Sequence, residues 1–301
     1  MSDTGDNQTR FLLPKAGVRG VGVRLENTWQ EILSHASYPD QARDLLGQAC
    51  VASALFTGHA KVNGRLSLQL RSPRALRTLF AECTAQGTLR GIARMAEGEA
   101  APRDLRELGE DALLAITIEN PGLDPREPQR YQSLVSLQAA TLSEAFENYF
   151  HQSEQLPTRL LLAADGNAAA GLMLQQLPFD NRPGDEGDSD GWSRAGALFE
   201  TLQSDELLAL PVGELLHRLF HEEEWSILAE RPLRFACSCS QERVAAMLQS
   251  LGTEEAHAAL ADGQAEVRCE FCDQRYIFSA REIDELFALP PVGIQAPERL
   301  Q

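Results

Sequence analysis

The sequence predicts an α+β fold: an N-terminal α/β core with a mostly antiparallel sheet, a helical linker, and a small C-terminal four-cysteine zinc domain. Three observations carry that expectation. Short alternating segments are interleaved with helix-like ones and joined by hairpin signals over the first 180 residues. A Gly/Asp-rich break over 178–191 is followed by an acidic, helically patterned stretch. Four of the six cysteines then fall within 36 residues near the C-terminus. The implied domains are 1–180, 181–234 and 235–301.

The elements follow in chain order. Residues 20–25 alternate apolar and polar, as a half-buried strand does. Residues 28–37 read as a helix, and Pro39 precedes a second one over 40–57, with Ala42, Leu45, Leu46, Ala49, Ala52, Leu55 and Phe56 at helical spacing. Asn63-Gly64 before an alternating run signals a hairpin. Residues 89–95 and 113–119 are strand candidates, and 141–151 a helix. Segments 159–163 and 169–177 flank Asp165-Gly166-Asn167 as a second hairpin.

From 192 to 230 the pattern is helical. Leu198, Phe199, Leu202, Leu207, Leu208, Leu215, Leu216, Leu219, Phe220 and Trp225 mark an apolar face, and 184–230 holds twelve acidic residues against two arginines. Short helices of this kind need an apolar surface to lie on. In the last segment, 240–251 reads as a helix ended by Gly252 and 254–261 as another. Residues 265–268 and 276–278 are short strands, and Ser279-Ala-Arg-Glu282 is a capping box opening a final helix.

Composition narrows the function. The formal charge is −17, with two lysines, Lys15 and Lys61, against 25 arginines. Such a chain repels nucleic acid and anionic lipid at long range, so no nucleic-acid or membrane partner is expected. The polar first ten residues lack the apolar core of a signal peptide, and no stretch reaches the ~18 apolar residues of a membrane span. A soluble cytoplasmic protein with reduced thiols is expected.

Cys237-Ser-Cys239 and, 29 residues later, Cys269-Glu-Phe-Cys272 form the chemical constellation. Thiolates at this spacing select zinc or iron–sulfur over hard cations, and one Zn²⁺ on all four would staple a module too small to fold alone. A structural ribbon usually carries Cys-x-x-Cys at both ends, and here the first pair is Cys-x-Cys. Thiols two or three residues apart can also close into disulfides once metal leaves. A redox switch is therefore available, and a purely structural zinc stays open on spacing alone.

Other motifs are weaker. His217 and His221, followed by Glu222, do not make a His-Glu-x-x-His site and read as a solvated acidic face. Gly166 to Gly171 lacks the ending of a phosphate loop. Cys50 and Cys83 read as core thiols. Ser153-Glu154-Gln155-Leu156-Pro157-Thr158 is polar and distinctive, but no serine–histidine–acid set assembles around it, and no enzyme is expected.

Phe235-Ala-Cys237-Ser-Cys239-Ser-Gln-Glu-Arg243, paired with Cys269-Glu-Phe-Cys272, closely resembles the 33-kDa heat-shock chaperone family. Arg19-Gly20, Tyr38-Pro39, Leu45-Leu46-Gly47, Tyr149 to Thr158, Leu174 to Pro178 and Leu215 to Glu224 are similar in the same order. Ala170-Gly171 where Gly-Gly is common, and Ser133 where glycine is frequent, depart from it.

The resemblance implies a redox-regulated, ATP-independent holdase. In the reduced state Cys237, Cys239, Cys269 and Cys272 bind one zinc. Peroxide with mild unfolding, or hypochlorite, forms Cys237–Cys239 and Cys269–Cys272 disulfides and expels zinc. The linker unfolds, apolar surface opens to partly unfolded clients, and a homodimer forms. The rival readings are a constitutive zinc adaptor, a thiol–disulfide oxidoreductase using Cys269 and Cys272, and, more distantly, a zinc-ribbon nucleic-acid binder.

Overall fold

The computed structural model describes residues 5–122, 124, 127–178, 188 and 190–288. The chain forms two compact units, 1–236 and 237–301. Most of the break expected over 178–191 lies outside the described residues.

The first unit is built round one helix. Strands β1 (Asn7–Leu13) and β2 (Val18–Leu25) lead into α1 (Asn27–Ser34) and the 20-residue α2 (Asp40–His59). Between Ala49 and Thr57 every residue of α2 is buried. A helix apolar on all sides belongs inside a domain, and its small residues let strands approach closely: a side chain at Gly47 would meet Ala164 and Ala169.

Two sheets enclose α2. The first runs β10-β1-β2-β9-β8, with β8 (Thr158–Ala164), β9 (Ala169–Gln176) and β10 (Ser226–Pro232). The second runs β11-β5-β4-β3-β6-β7, with β3 (Arg65–Arg71), β4 (Leu76–Thr84), β5 (Thr88–Met95), β6 (Leu113–Asn120), β7 (Gln129–Val135) and β11 (Arg234–Phe235). Every pairing is antiparallel except β11 with β5, in keeping with the expected α+β class.

Strand periodicity sorts side chains between the faces. Val21, Val23, Met173, Leu160 and Leu162 join the α2 core. Their neighbours Leu172, Leu174 and Ala163 join Phe11, Leu13 and Val18 on the opposite face. That opposite face is covered by α4 (Gly191–Phe199), α5 (Ser204–Ala209) and α6 (Val212–Leu219), through Ala195, Phe199, Leu202, Leu207, Leu215, Leu216, Leu219 and Phe220. Gly22 lets α6 approach the sheet closely: a Cβ there would sit 2.5 Å from Val212 Cγ1. α3 (Leu142–Tyr149) flanks β8 and continues as a π-helical turn, Phe150–Glu154.

Two expectations change. The acidic segment is not helical throughout, because β10 pairs with β1 and completes the first sheet. Residues 226–230 are exposed, so no period-two pattern betrays them; the unpaired edge of β1 recruits them. Asn63-Gly64 joins a helix to a strand and is not a hairpin turn: Asn120 Oδ1 accepts the Asn63 N–H at 2.8 Å, binding this connection to the end of β6. Strands β1, β4 and β7 also escape the sequence pattern.

The second unit contains α7 (Gln241–Leu251), α8 (Thr253–Ala258), the hairpin β12 (Gln264–Arg268) and β13 (Arg275–Ser279), and α9 (Ala280–Ala288). Gly252, at φ +93°, ends α7 in a conformation that favours glycine. The capping box forms as read: Ser279 N–H donates to Glu282 Oε2 at 2.8 Å and Glu282 N–H to Ser279 Oγ at 3.3 Å. Only six apolar side chains are buried among the described residues: Val244, Leu248, Ala256, Ala265, Phe278 and Ile283.

Candidate metal centre

The four cysteines reach one point from two directions. Cys237 and Cys239 lie just ahead of α7, whose N-cap Ser240 accepts the Arg243 N–H. Arg243 also fixes the Cys-x-Cys segment by donating to the Ser238 carbonyl at 2.9 Å and hydroxyl at 2.8 Å. Cys269 and Cys272 occupy the β12–β13 turn. There the Asp273 N–H donates to the Cys269 carbonyl and the Cys269 N–H to the Gln274 carbonyl, both at 2.9 Å. Asp273 takes the left-handed conformation, φ +54°, that folds the knuckle back.

The four sulfurs all lie within 4.8 Å of one another. The Sγ atoms of Cys237 and Cys269 are 3.5 Å apart, and those of Cys239 and Cys272 3.4 Å. A tetrahedral ion with metal–sulfur bonds of about 2.3 Å spaces its ligands about 3.8 Å apart. The cluster is therefore the size of such a shell and could hold a metal ion.

Its acid–base chemistry points the same way. Burial opposes ionisation of Cys239, but hydrogen bonds from the Tyr276 hydroxyl and the neighbouring thiols bring it down to about 7. Burial pushes Cys237 up, and it pushes Cys272 up strongly, together with hydrogen bonding to the other three sulfurs. Without a cation the cluster thus favours partial ionisation, whereas four thiolates together need a compensating positive charge. Tyr276 was not singled out by sequence reasoning; only its place on the strand after the second cysteine pair hinted at it.

The remaining candidates are dispersed. Cys50 and Cys83 are buried in the first unit, where burial raises their thiols to about 12 and about 11. His217 and His221 are exposed. Asp165 to Ala168 is a side-chain-capped turn: Asp165 Oδ1 accepts the N–H groups of Asn167 and Ala168 at 2.7 and 2.8 Å. The distinctive 153–158 segment supplies Glu154 and Thr158 to a polar network. In it Arg19 Nη2 lies 3.3 Å from His59 Nε2, Arg19 Nε donates to Gln175 at 3.1 Å, and Gln175 donates to Thr158 at 3.1 Å. Glu154 lies 3.7 Å from His59 Nε2.

Fold and site together define an α+β protein that carries a four-thiol, metal-type module as a unit of its own. Known proteins narrow this further. The family model described as Hsp33 protein matches residues 6–279. The 33 kDa chaperonin of Pseudomonas fluorescens (strain Pf0-1) is 42% identical over 295 residues, covering 97% of this chain and 96% of that protein. The 33 kDa chaperonin of Ectopseudomonas mendocina (strain ymp) is 42% identical over 297 residues, 98% of each chain. The chain belongs to the Hsp33 family, a family of chaperones. The crystal structure of the 33 kDa chaperonin from Thermotoga maritima shares its fold, with a TM-score of 0.76 at 20% identity, covering 94% of this chain and 98% of that one. No described helix is long and apolar enough to cross a membrane.

Proposed function

We propose that this protein is an ATP-independent holdase, kept inactive by zinc on Cys237, Cys239, Cys269 and Cys272 and activated by oxidation of those thiols. The observation that carries the reading is the convergence of four sulfurs in a unit with six buried apolar side chains among its described residues. Such a unit depends on its ligand for stability. Zinc supplies the charge that keeps all four cysteines as thiolates, the form an oxidant attacks. Each disulfide forms as two thiols give two electrons to peroxide, which is reduced to water. Loss of thiolates removes the metal ligands and the support of the second unit together.

Sulfurs 3.5 and 3.4 Å apart face each other across the two motifs, yet the proposed disulfides are Cys237–Cys239 and Cys269–Cys272. Once the unit opens, closing a loop of a few residues costs far less entropy than bridging over thirty. Helices α4–α6 are proposed to leave the sheet in turn, freeing apolar surface for unfolded clients and for a homodimer.

Aggregation suppression and zinc release, followed in the same reduced and oxidised samples, test the reading. Suppression confined to the oxidised, zinc-free protein is expected. Zinc retained through mild peroxide, with unchanged suppression, would establish a constitutive adaptor instead. Catalytic turnover of a disulfide substrate, lost in Cys272→Ser, would establish an oxidoreductase.

A further inference from the structure

We propose that oxidation frees the outer edge of β1, which β10 occupies in this structure, and that this edge takes up extended client segments with alternate apolar residues as a replacement strand; as a client site, this rests on the holdase reading. β1 is a regular template and β10 an irregular partner. β1 pairs with β2 over all seven residues without a shift, and it contains no proline. β10 has a register shift opposite Arg10 and Phe11, where Leu228 is skipped, and it ends in a proline. A bulge of this kind interrupts the ladder and leaves one residue unpaired. The far edge of the same sheet is closed, because Leu160 of β8 donates its N–H to Glu147 at 2.7 Å and Leu162 to Ser143 Oγ at 3.1 Å.

Side chains contribute little to holding β10. Residues 226–230 are all exposed, the large apolar Ile227 (43%) and Leu228 (53%) among them. Thr9 Oγ1 donates to Glu230 at 3.4 Å, and Arg231 donates to the Ala85 carbonyl at 2.8 Å. The strand is held chiefly through its main chain, and main-chain pairing tolerates varied sequence, as clients that share only their unfolded state require. The N-terminal side of β10 is tied to the helical cover by Trp225, which packs on the cluster beneath α4–α6. Its C-terminal side is tied by Leu233, which is buried and donates its N–H to the Asp6 carbonyl at 2.8 Å. Undocking of the cover therefore releases 226–232 from one side, whereas the reduced protein keeps the edge closed.

The face beside this edge selects the occupant. On β1, Phe11 and Leu13 join the cluster beneath α4–α6, while Gln8 points the other way and donates to the Ala54 carbonyl of α2. β10 places Ile227, Glu230 and Pro232 across from Phe11, Thr9 and Asn7, so its contribution to that apolar face is slight. A strand with apolar residues at every second position pairs with β1 and also extends the face that the helices have left. A second copy of this chain offers only the same shifted, proline-ended strand, and an apolar client segment therefore fits better. Regular edges without a partner template strand addition.

The probe is a blocked octapeptide alternating valine and threonine, added to the full chain in reduced zinc-loaded and in oxidised form. It should bind the oxidised form at least tenfold tighter. Alternate amides within 7–13 should be protected in the reduced form, exchange at least tenfold faster after oxidation, and be slowed at least tenfold again by the peptide. Two further peptides, N-methylated at every valine or at every threonine, keep the side chains and block one edge each. Strand addition uses one edge, so one of them should lose at least tenfold in affinity and the other bind as the parent. Consecutive residues of a strand aim their N–H groups at opposite edges, so Ala229→Pro with Glu230→Pro removes a donor facing β1. That variant should bind the peptide in its reduced form at least tenfold tighter than the unaltered protein does. If the pair lowers the unfolding midpoint, the two methylated peptides decide the matter on the natural sequence. Exchange of β1 unmoved by oxidation and peptide, or equal losses from the two methylations, overturns the proposal. Protection of β1 in the oxidised protein that rises with protein concentration in the absence of peptide overturns it in favour of a second copy. Suppression of client aggregation, measured in parallel, separates the readings: suppression without any effect of peptide on β1 sinks this site alone, and peptide protection of β1 without suppression sinks the holdase alone.

Discussion

Truncating Leu216 to alanine isolates the contact between α6 and the first sheet. Leu216 is fully buried among Phe11, Leu172, Leu174 and Phe220. A Leu→Ala change at such a position costs about 3 kcal/mol, from lost transfer energy and the cavity left behind. At 1.4 kcal/mol per decade this is about a 100-fold shift toward the undocked state. Native-state hydrogen exchange is the assay. If α4–α6 open separately from the core, their amides should exchange about 100-fold faster in the variant while the core of α2, buried between two sheets, keeps its rate. The same variant, reduced and zinc-loaded, should suppress client aggregation in part, because the covered sheet face is exposed more often. Equal acceleration in α2 and α6 would refute the reasoning, since undocking would then be global unfolding. Faster exchange in α6 without any gain in suppression would detach the linker from the activity.

Other expectations follow from the same structure. Removing metal with a chelator at pH 8 should leave four cysteines open to alkylation, while Cys50 and Cys83, raised to about 12 and 11 by burial, react only in denaturant; mass spectrometry of the labelled protein decides this. Glu154 is held below the usual carboxylate range, first by its hydrogen bond with His59. A lowered folded value stabilises above the unfolded value of about 4.3 and is lost as pH falls through the folded one. Glu154→Gln should therefore cost at most about 1 kcal/mol at pH 7, since the carboxylate is half exposed, and the gap in urea midpoint should close below pH 4. Ile283→Ala, at a fully buried position in the second unit, should cost about 3 kcal/mol and weaken zinc binding about 100-fold, leaving the urea transition of the first unit in place; competition with a chromogenic chelator measures it.

Much of this protein is written in short-range pattern. Helix α2, the β8–β9 hairpin, β5, β6 and nearly every element of the second unit follow from local periodicity and capping. The four-cysteine spacing, a local feature in each half, marked the metal-type site before any fold was known. Cys50 within an apolar helical run was legible as a core thiol for the same reason.

What required the tertiary structure is what depends on distant partners. Residues 226–232 carry no strand pattern and become β10 only because β1 offers an unpaired edge more than two hundred residues away. The acidic helices became a cover because Phe11, Leu172 and Leu174 face outward on strands whose alternate residues face α2. Tyr276 reaches Cys239 only after the β12–β13 hairpin closes. The place of β7 at the end of the second sheet is a property of strand order, which no local period encodes. Periodicity states which face of a segment seeks burial, and only the assembled pairings decide what covers that face and where each strand stands in its sheet.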